Sequence, residues 1–409
     1  MRRITYGLAV LLIFVIPWED SISVAALGSM ARIIGLMVAV FWAATTLIEG
    51  RFRKPHLFHV LVLLFFLWNF VSVFWSVNTE STIQRIKTYS QIFLLMLIFW
   101  EVFQKPENLR AGLQAYIYGA YVAIASTIYN YIKGNESVAY QGRYSATGVN
   151  AVDLALILLL GLPVAMHLFF AAEQSKKGII LKFIYLAYIP LAIFAVLLTG
   201  SRTSLLAVIP FGIYFVGTQQ IKFDRKLLVF GILFISLLVL IPFIPQSVIT
   251  RLGTLGTSIK AGDLGGRVKL WGAAIIALSN HPFLGLGSGT MHSVIGTVAH
   301  NTFVSIVAET GFIGFVLFFA ILMLVFFQAM NIPNGKSGLW VTIFLMWVIG
   351  VSSLSWEFRK PTWLFLSFIV IEGSFTYEQL RIGQSKVKIS KSIKRFLDVN
   401  EPEIETEED

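Results

Sequence analysis

The sequence predicts an all-α polytopic membrane protein, and three observations carry that expectation. Hydrophobic residues make up 56% of the 409-residue chain, while charged residues make up 13%. Mean hydropathy is +0.77. The apolar residues also gather into runs of the length a bilayer asks of a helix, roughly 20 residues. A soluble domain carries about 25% charged residues, so this chain has too few to cover a water-facing surface. In lipid every backbone amide must find its partner inside the structure, and for runs of this length the helix supplies it.

Twelve such runs follow one another along the chain, at 4–17, 29–48, 57–75, 88–103, 111–131, 151–171, 180–199, 203–219, 227–244, 300–329, 338–355 and 362–377. The first is short and follows Arg2 and Arg3, as the core of a secretory signal would. Pro17, Trp18, Glu19 and Asp20 come next, without a small-x-small cleavage pattern, so it is read as a retained span. Twelve spans put both termini on one side, and the Lys/Arg distribution chooses which. With the N-terminus inside, the inner segments hold Arg2 and Arg3; Arg51, Arg53 and Lys54; Lys105 and Arg110; Lys176, Lys177 and Lys182; Lys222, Arg225 and Lys226; and Lys336. The tail adds Arg381, Lys386, Lys388, Lys391, Lys394 and Arg395, which brings the inner count to twenty of the 32 basic residues. The net charge of +10 is therefore mostly a topology signal, and nucleic acid is demoted as a partner.

The other twelve basic residues fall outside or at outer helix ends: Arg32, Arg85, Lys87, Lys133, Arg143, Arg202, Arg251, Lys260, Arg267, Lys269, Arg359 and Lys360. Positive charge on that side runs against the usual bias, and an anionic ligand such as a lipid pyrophosphate gives it a purpose. Lys87, Arg251, Lys260 and Lys360 are read as scattered solvated residues. Cysteine is absent, which removes disulfides, thiolate metal clusters and thiol nucleophiles together.

Residues 1–380 are read as one membrane domain with two long outer loops. The first, 132–150, contains Tyr140, Arg143 and Tyr144; the second, 245–299 between spans nine and ten, far exceeds the usual 2–8-residue helix connection. Residues 381–409 form an inner tail, basic to 396 and then an acidic, solvated and disordered end at 398–409.

Within the second loop, 267–279 reads as a short amphipathic helix, with Trp271, Ile275 and Leu278 on one face suited to the membrane surface. Arg267 opens it on the Trp271 face, and Asn280, His281 and Pro282 end it. Gly285–Gly289 looks like a nucleotide loop only in its glycines, since no strand precedes it, and a tight turn is expected. His281, His292 and His300 cluster in sequence but lack the convergent ligand spacing of a metal site, so no metal or other cofactor is expected. His300 begins the tenth span with Asn301 as its cap. The helix dipole there disfavours imidazolium, which leaves a neutral ring placed to act as a general base. Glu309, nine residues on, falls on the opposite helix face and is expected to meet an arginine from another element. Arg202, in a connection too short to be a loop, is held at the lipid boundary with Asp153 as a candidate partner.

The run Arg267-x3-Trp271, Asn280-His281-Pro282-x2-Gly285-x-Gly287, Ala299-His300-Asn301-Thr302-Phe303 and Glu309-Thr310-Gly311-x2-Gly314 resembles the O-antigen ligase and polymerase superfamily. So do Ser201-Arg202 opening a span in mid-chain and the single large outer loop before span ten. The resemblance implies a fold related to membrane-embedded glycosyltransferases that use polyprenyl-linked donors. It implies an undecaprenyl-diphosphate-linked glycan as donor, bound from the periplasmic side of a bacterial inner membrane. Carried over by position, Arg202 and Arg267 correspond to arginines on the donor pyrophosphate and His300 to the essential histidine. Arg143 lies in the right region without a motif to anchor it.

The expected activity is therefore that of an O-antigen ligase, moving polysaccharide en bloc to a hydroxyl of lipid A–core oligosaccharide. A polymerase joining lipid-linked repeat units is the alternative, and a membrane transporter is the alternative of another class. Against transport, the notable ionisable groups collect at the outer face and not at mid-depth.

Overall fold

The computed structural model describes residues 1–24, 28–137, 142–217, 223–253, 267–333 and 335–375. Tyr140, Lys222, Lys260 and the whole tail 381–409 lie outside the described residues. The chain is all-α apart from a two-residue antiparallel ribbon, Ser23–Val24 with Gly28–Ser29. In order the helices are α1 (Arg2–Val15), α2 (Met30–Glu49), α3 (Leu57–Val71), α4 (Thr79–Val102), α5 (Pro106–Ile132), α6 (Ala151–Ala171), α7 (Lys176–Leu198) and α8 (Arg202–Ala207). They continue with α9 (Ile209–Gly217), α10 (Phe223–Leu240), α11 (Gln246–Gly253), α12 (Arg267–Leu278), α13 (Met291–Ile295), α14 (Thr302–Met330), α15 (Ser337–Val351) and α16 (360–375).

Each of the twelve apolar runs overlaps helix among the described residues. Among the described residues, seven segments are long and apolar enough to cross a membrane: Arg2–Ser21, Met30–Glu49, Leu57–Phe74, Ala151–Ala171, Lys176–Leu198, Lys226–Phe243 and Thr302–Met330. Helices α4 and α5 are longer than most of these, at 24 and 27 residues, but carry Glu80, Arg85 and Lys87 and Glu107 and Arg110 in their sequences. The expected run 203–219 is not one helix. α8 stops at Ala207 and α9 restarts at Ile209, because Pro210 has no N–H to continue the α8 ladder.

Helices α1, α5, α6, α7, α15 and α16 enclose the core, with Tyr116, Tyr185, Tyr188, Trp340, Trp347 and Trp363 fully buried. A hydroxyl or indole N–H in such a place needs a partner, and of these side chains Trp340 alone shows none among the described residues. Tyr116 and Tyr188 donate to the carbonyls of Ile157 and Leu158 at 2.8 Å, in the α6 turn before Pro163. Trp347 donates to Thr362 Oγ1 at 3.0 Å and joins α15 to α16. By contrast α10 packs on α7 and leaves Phe223, Leu227, Leu228, Ile235 and Val239 more than half exposed.

The helix ends sort into two sets. At one end Arg53 reaches Glu101, the Trp100 carbonyl and Ser374, and Lys336 pairs with Glu372 at 2.7 Å. The opposite end carries the two long connections, and the structure gives the second more form than a loop. It contains α11, α12 and α13, and its stretch 281–291 is bonded to α3, α4 and α14.

Helix α14 was expected to be continuous and is not. Gly311 has φ 65° and ψ −170°, which interrupts the helix. The break frees backbone groups in an apolar setting, and the 282–287 stretch takes them up: Leu286 N–H bonds Ala308 O, Gly287 N–H bonds Glu309 O, and Phe312 N–H bonds Pro282 O, at 2.9–3.0 Å. The approach leaves no room for a side chain. A Cβ on Gly311 would lie 2.2 Å from Phe283 O, and one on Gly285 2.4 Å from Gly311 N.

Close packing of α1 on α5 rests on another glycine, Gly119, where an added Cβ would sit 1.9 Å from the Phe14 carbonyl oxygen. Gly119→Ala should therefore lower stability by about 1–3 kcal/mol, in the range for overpacking. Gly7→Ala, where nothing lies within 4 Å, should leave it unchanged or slightly raised. Thermal unfolding of the two variants in one detergent compares them, and equal midpoints would remove the close-packing argument.

Candidate functional site

The site is built at the end of the bundle that carries the long connections, from two groups of side chains. The first surrounds the turn between α7 and α8. Gly200 takes φ 58° there and lets the chain reverse into Ser201 and Arg202. Arg143, 2% exposed, donates Nε to the Thr199 carbonyl at 2.5 Å. Arg251 donates Nε to the Gly200 carbonyl, and Arg202 donates Nε to the Arg251 carbonyl, both at 3.1 Å. Arg143 and Arg251 thus reach the turn, and the turn's own Arg202 reaches back to α11, which gathers three guanidinium groups there. Arg251, read from sequence as solvated, belongs to this cluster because α11 folds back on the turn.

The two long connections meet here. Ser247 Oγ donates to Gly142 O at 3.1 Å, and Tyr131 donates to Phe243 O at 2.6 Å. Gly142 N–H donates to the Glu136 carboxylate at 2.7 Å, while Tyr144 N–H donates to Leu198 O at 2.9 Å. Those bonds fix the register in which Arg143 enters the turn.

The second group centres on His300. Among the described residues it alone, glycines aside, has positive φ, at 49°. A bulky residue held in that region costs energy that neighbouring contacts must supply. They are visible on both sides. Trp271 Nε1 donates to the Ala299 carbonyl at 3.0 Å, and Asn301 caps α14 by accepting from the N–H groups of Phe303 and Val304. Trp271 and Arg267 on α12 therefore face the start of α14. The expected membrane-facing stripe of Trp271, Ile275 and Leu278 is split, since Ala274 is the buried contact and Ile275 is 57% exposed.

The His300 imidazole is lowered from its ordinary pKa, first by burial and then by the positive charge of Arg267, with Asp153 pulling the other way. The neutral ring expected from the helix dipole is thus favoured for other reasons. Asp153, a candidate partner for Arg202, instead accepts from Trp356 Nε1 and from Arg359, each at 2.8 Å. It sits in the first turn of α6, where the 352–359 connection returns over it and Arg202 on α8 does not. Thr302 ties that connection to α14, donating to Leu354 O and accepting from Trp356 N–H at 2.8 Å each. A small cleft of about 10 Å³ lined by Val152, Ser201, Ser204, Ser353 and Leu354 lies between this connection and the arginine turn.

Glu309 meets an arginine, as its position predicted, and does more. Its carboxylate accepts from Gly289 N–H at 2.8 Å and Met291 N–H at 3.2 Å, with Arg85 Nη1 3.7 Å away. Arg85 also bonds Glu357 at 2.9 Å, and burial pushes the Glu357 carboxyl up to about 7 against the pull of that arginine. Arg85 and Arg359 were only two of twelve outer cations in the sequence. Lys360 is likewise engaged, with Glu19. Among the described residues no three histidine or carboxylate side chains come together as a metal site would need.

Two substitutions should move the His300 titration in opposite directions. Arg267→Ala removes a charge that disfavours imidazolium, so the imidazole pKa should rise; Asp153→Asn removes one that favours it, so the pKa should fall. The pH dependence of imidazole acylation by diethyl pyrocarbonate reads both shifts. Curves that coincide with the parent would dismiss this electrostatic account.

Comparison with known proteins bears on the same region. No curated protein matches the chain. A family model described as O-Antigen ligase matches residues 185–319, from the second half of α7 to beyond the break in α14. The match takes in Arg202, Arg251, Arg267, His300 and Glu309, while Arg143 and Asp153 precede it. Residues 185–319 of this multi-pass membrane protein carry the O-antigen ligase family domain.

Proposed function

We propose that the protein is an O-antigen ligase, transferring polysaccharide en bloc from undecaprenyl diphosphate to a hydroxyl of lipid A–core oligosaccharide. The observation that carries this reading is the convergence of Arg143, Arg202 and Arg251 on the 199–202 turn, within or beside the family match. In the full reading twelve spans cross a bacterial inner membrane, both termini lie inside and the site faces the periplasm.

Transfer breaks the bond between the sugar's anomeric carbon and the diphosphate oxygen, and the leaving diphosphate keeps the electron pair. Arg202, Arg143 and Arg267 bind that diphosphate, and their fixed positive charge meets the negative charge as it develops. The acceptor oxygen forms the new bond to carbon and loses its proton to His300. An imidazole kept neutral by burial and by Arg267 is free to take it. Asn301 holds the first turn of α14, and so the His300 backbone, in place. Attack opposite the leaving group inverts the anomeric centre, and a product of retained configuration would refute a single displacement.

His300→Ala should lower transfer by about 10²–10⁴-fold, the usual worth of a general base, while donor binding persists. Arg202→Ala should weaken donor use, with a loss of about 10²–10³-fold. Both are measured in liposomes with purified lipid-linked glycan and lipid A–core. Undiminished transfer by either variant counts against the role assigned to that residue. Glycan on lipid A–core identifies the ligase, whereas longer chains on the carrier identify a polymerase and overturn the choice of acceptor.

A further inference from the structure

A groove of about 190 Å³ lies between α1, α2 and α4, away from the arginine turn. Its walls are apolar, with Leu12 on α1 facing Leu36 on α2 and Ile92 and Leu95 on α4. Ala31, Gly35 and Ala39 recur every four residues along α2 and keep one face low. A Cβ added at Gly35 would find its nearest neighbour, Leu12 Cδ2, only at 4.0 Å. From Ala31 to Ala39 the helix rises about 12 Å, so the groove runs well down the bundle.

The mouth is lined by three basic side chains, Arg32, Arg359 and Lys360, and two carboxylates, Glu19 and Asp20, with Asp153 behind Arg359. Lys360 is engaged by Glu19, and Arg359 by Asp20 and Asp153. Those pairs account for both carboxylates at the mouth. Arg32 remains, exposed on the first turn of α2, with no hydrogen bond or ion pair among the described residues. Below it the walls offer polar partners only at Thr88 and Gln91 on α4, so an occupant bearing amides or hydroxyls along its length would bury most of them unpaired. A hydrocarbon chain makes no such demand. The outward surface of α2 beside the groove is itself apolar, with Val40 68% and Leu47 82% exposed, so lipid is the solvent that reaches it.

We propose that this groove holds an acyl chain of a membrane phospholipid with a net-negative headgroup, whose phosphate is met by Arg32. The site is separate from the donor and acceptor assignments above and does not depend on them.

The chain has no cysteine, so one can be placed at will. Leu36→Cys, carrying an environment-sensitive fluorophore, reports on the groove in the full-length protein. Leu64→Cys, on the exposed surface of α3, reports on bulk lipid. Each labelled protein is reconstituted in phosphatidylcholine with a small fraction of brominated phosphatidylglycerol or of brominated phosphatidylcholine. Bromine at the groove should quench with about a fivefold preference for phosphatidylglycerol, the worth of one basic side chain against an anionic headgroup. The Leu64 position should show no preference. Arg32→Gln should abolish the preference and Arg32→Lys should keep it, while Gly35→Leu should reduce quenching by both lipids. Excess soluble glycerol phosphate should displace nothing, since it has no chain to bury, and displacement by it would reassign the site to a free phosphate. Equal quenching by the two lipids at position 36, unaltered by Arg32→Gln, would show annular lipid only and overturn the proposal. Size exclusion confirms that each variant is folded before it is read.

Discussion

The requirement that no backbone amide go unpaired in an apolar setting shapes the end of this molecule where the candidate site lies. α14 breaks at Gly311, and a broken helix in such surroundings is tolerable only if another segment supplies the missing partners. The 282–287 stretch supplies them and is fixed in the process. Glu309, just before the break, extends the same arrangement by accepting from Gly289 and Met291. Its own charge is balanced by Arg85, which is shared with Glu357. The connection leading to His300 is therefore held by α14 itself, from beyond the residue it presents.

Electrostatics at this end follows a division of labour. Backbone carbonyls at Thr199, Gly200 and Arg251 receive the Nε atoms of three arginines and aim them. Carboxylates instead balance the other cations, Arg85 with Glu309 and Glu357, and Arg359 with Asp20 and Asp153. Carbonyl dipoles set the direction of the first group, whereas ion pairs tie the second to the scaffold. His300 lies where the two regimes meet, sensing Arg267 on one side and Asp153 on the other.

Much of the helical layout was legible in the sequence because hydropathy over some 20 residues is a local property. The His300–Asn301 cap was legible for the same reason, since the residue that caps and the amides it receives lie within three positions. What escaped was either a single dihedral or a distant pairing. Gly311 sits inside an unbroken apolar run, and only its neighbours Thr310 and Gly314 hint at a departure. Pro210 did mark the interruption between α8 and α9, but the apolar run overrode it. Arg251 and Lys360 looked solvated because their partners, Gly200 and Glu19, are remote in the sequence. Asp153 was matched to Arg202 because both fall at outer helix ends, and the nearer cation in space came from position 359.

The pairing of Arg359 and Lys360 with Asp20, Asp153 and Glu19 has a consequence for biogenesis. Two of these contacts span 339 and 341 residues, nearly the length of the described chain. A polypeptide emerging from the ribosome has made the first spans long before it reaches position 359. Until position 359 has been made, Asp20 and Asp153 have no Arg359, and His300 has a neighbouring carboxylate that is not yet anchored. The electrostatic setting of the candidate site thus waits on the connection before α16, so a nascent chain stalled short of it would hold every residue of the family match while Asp153 still lacked Arg359.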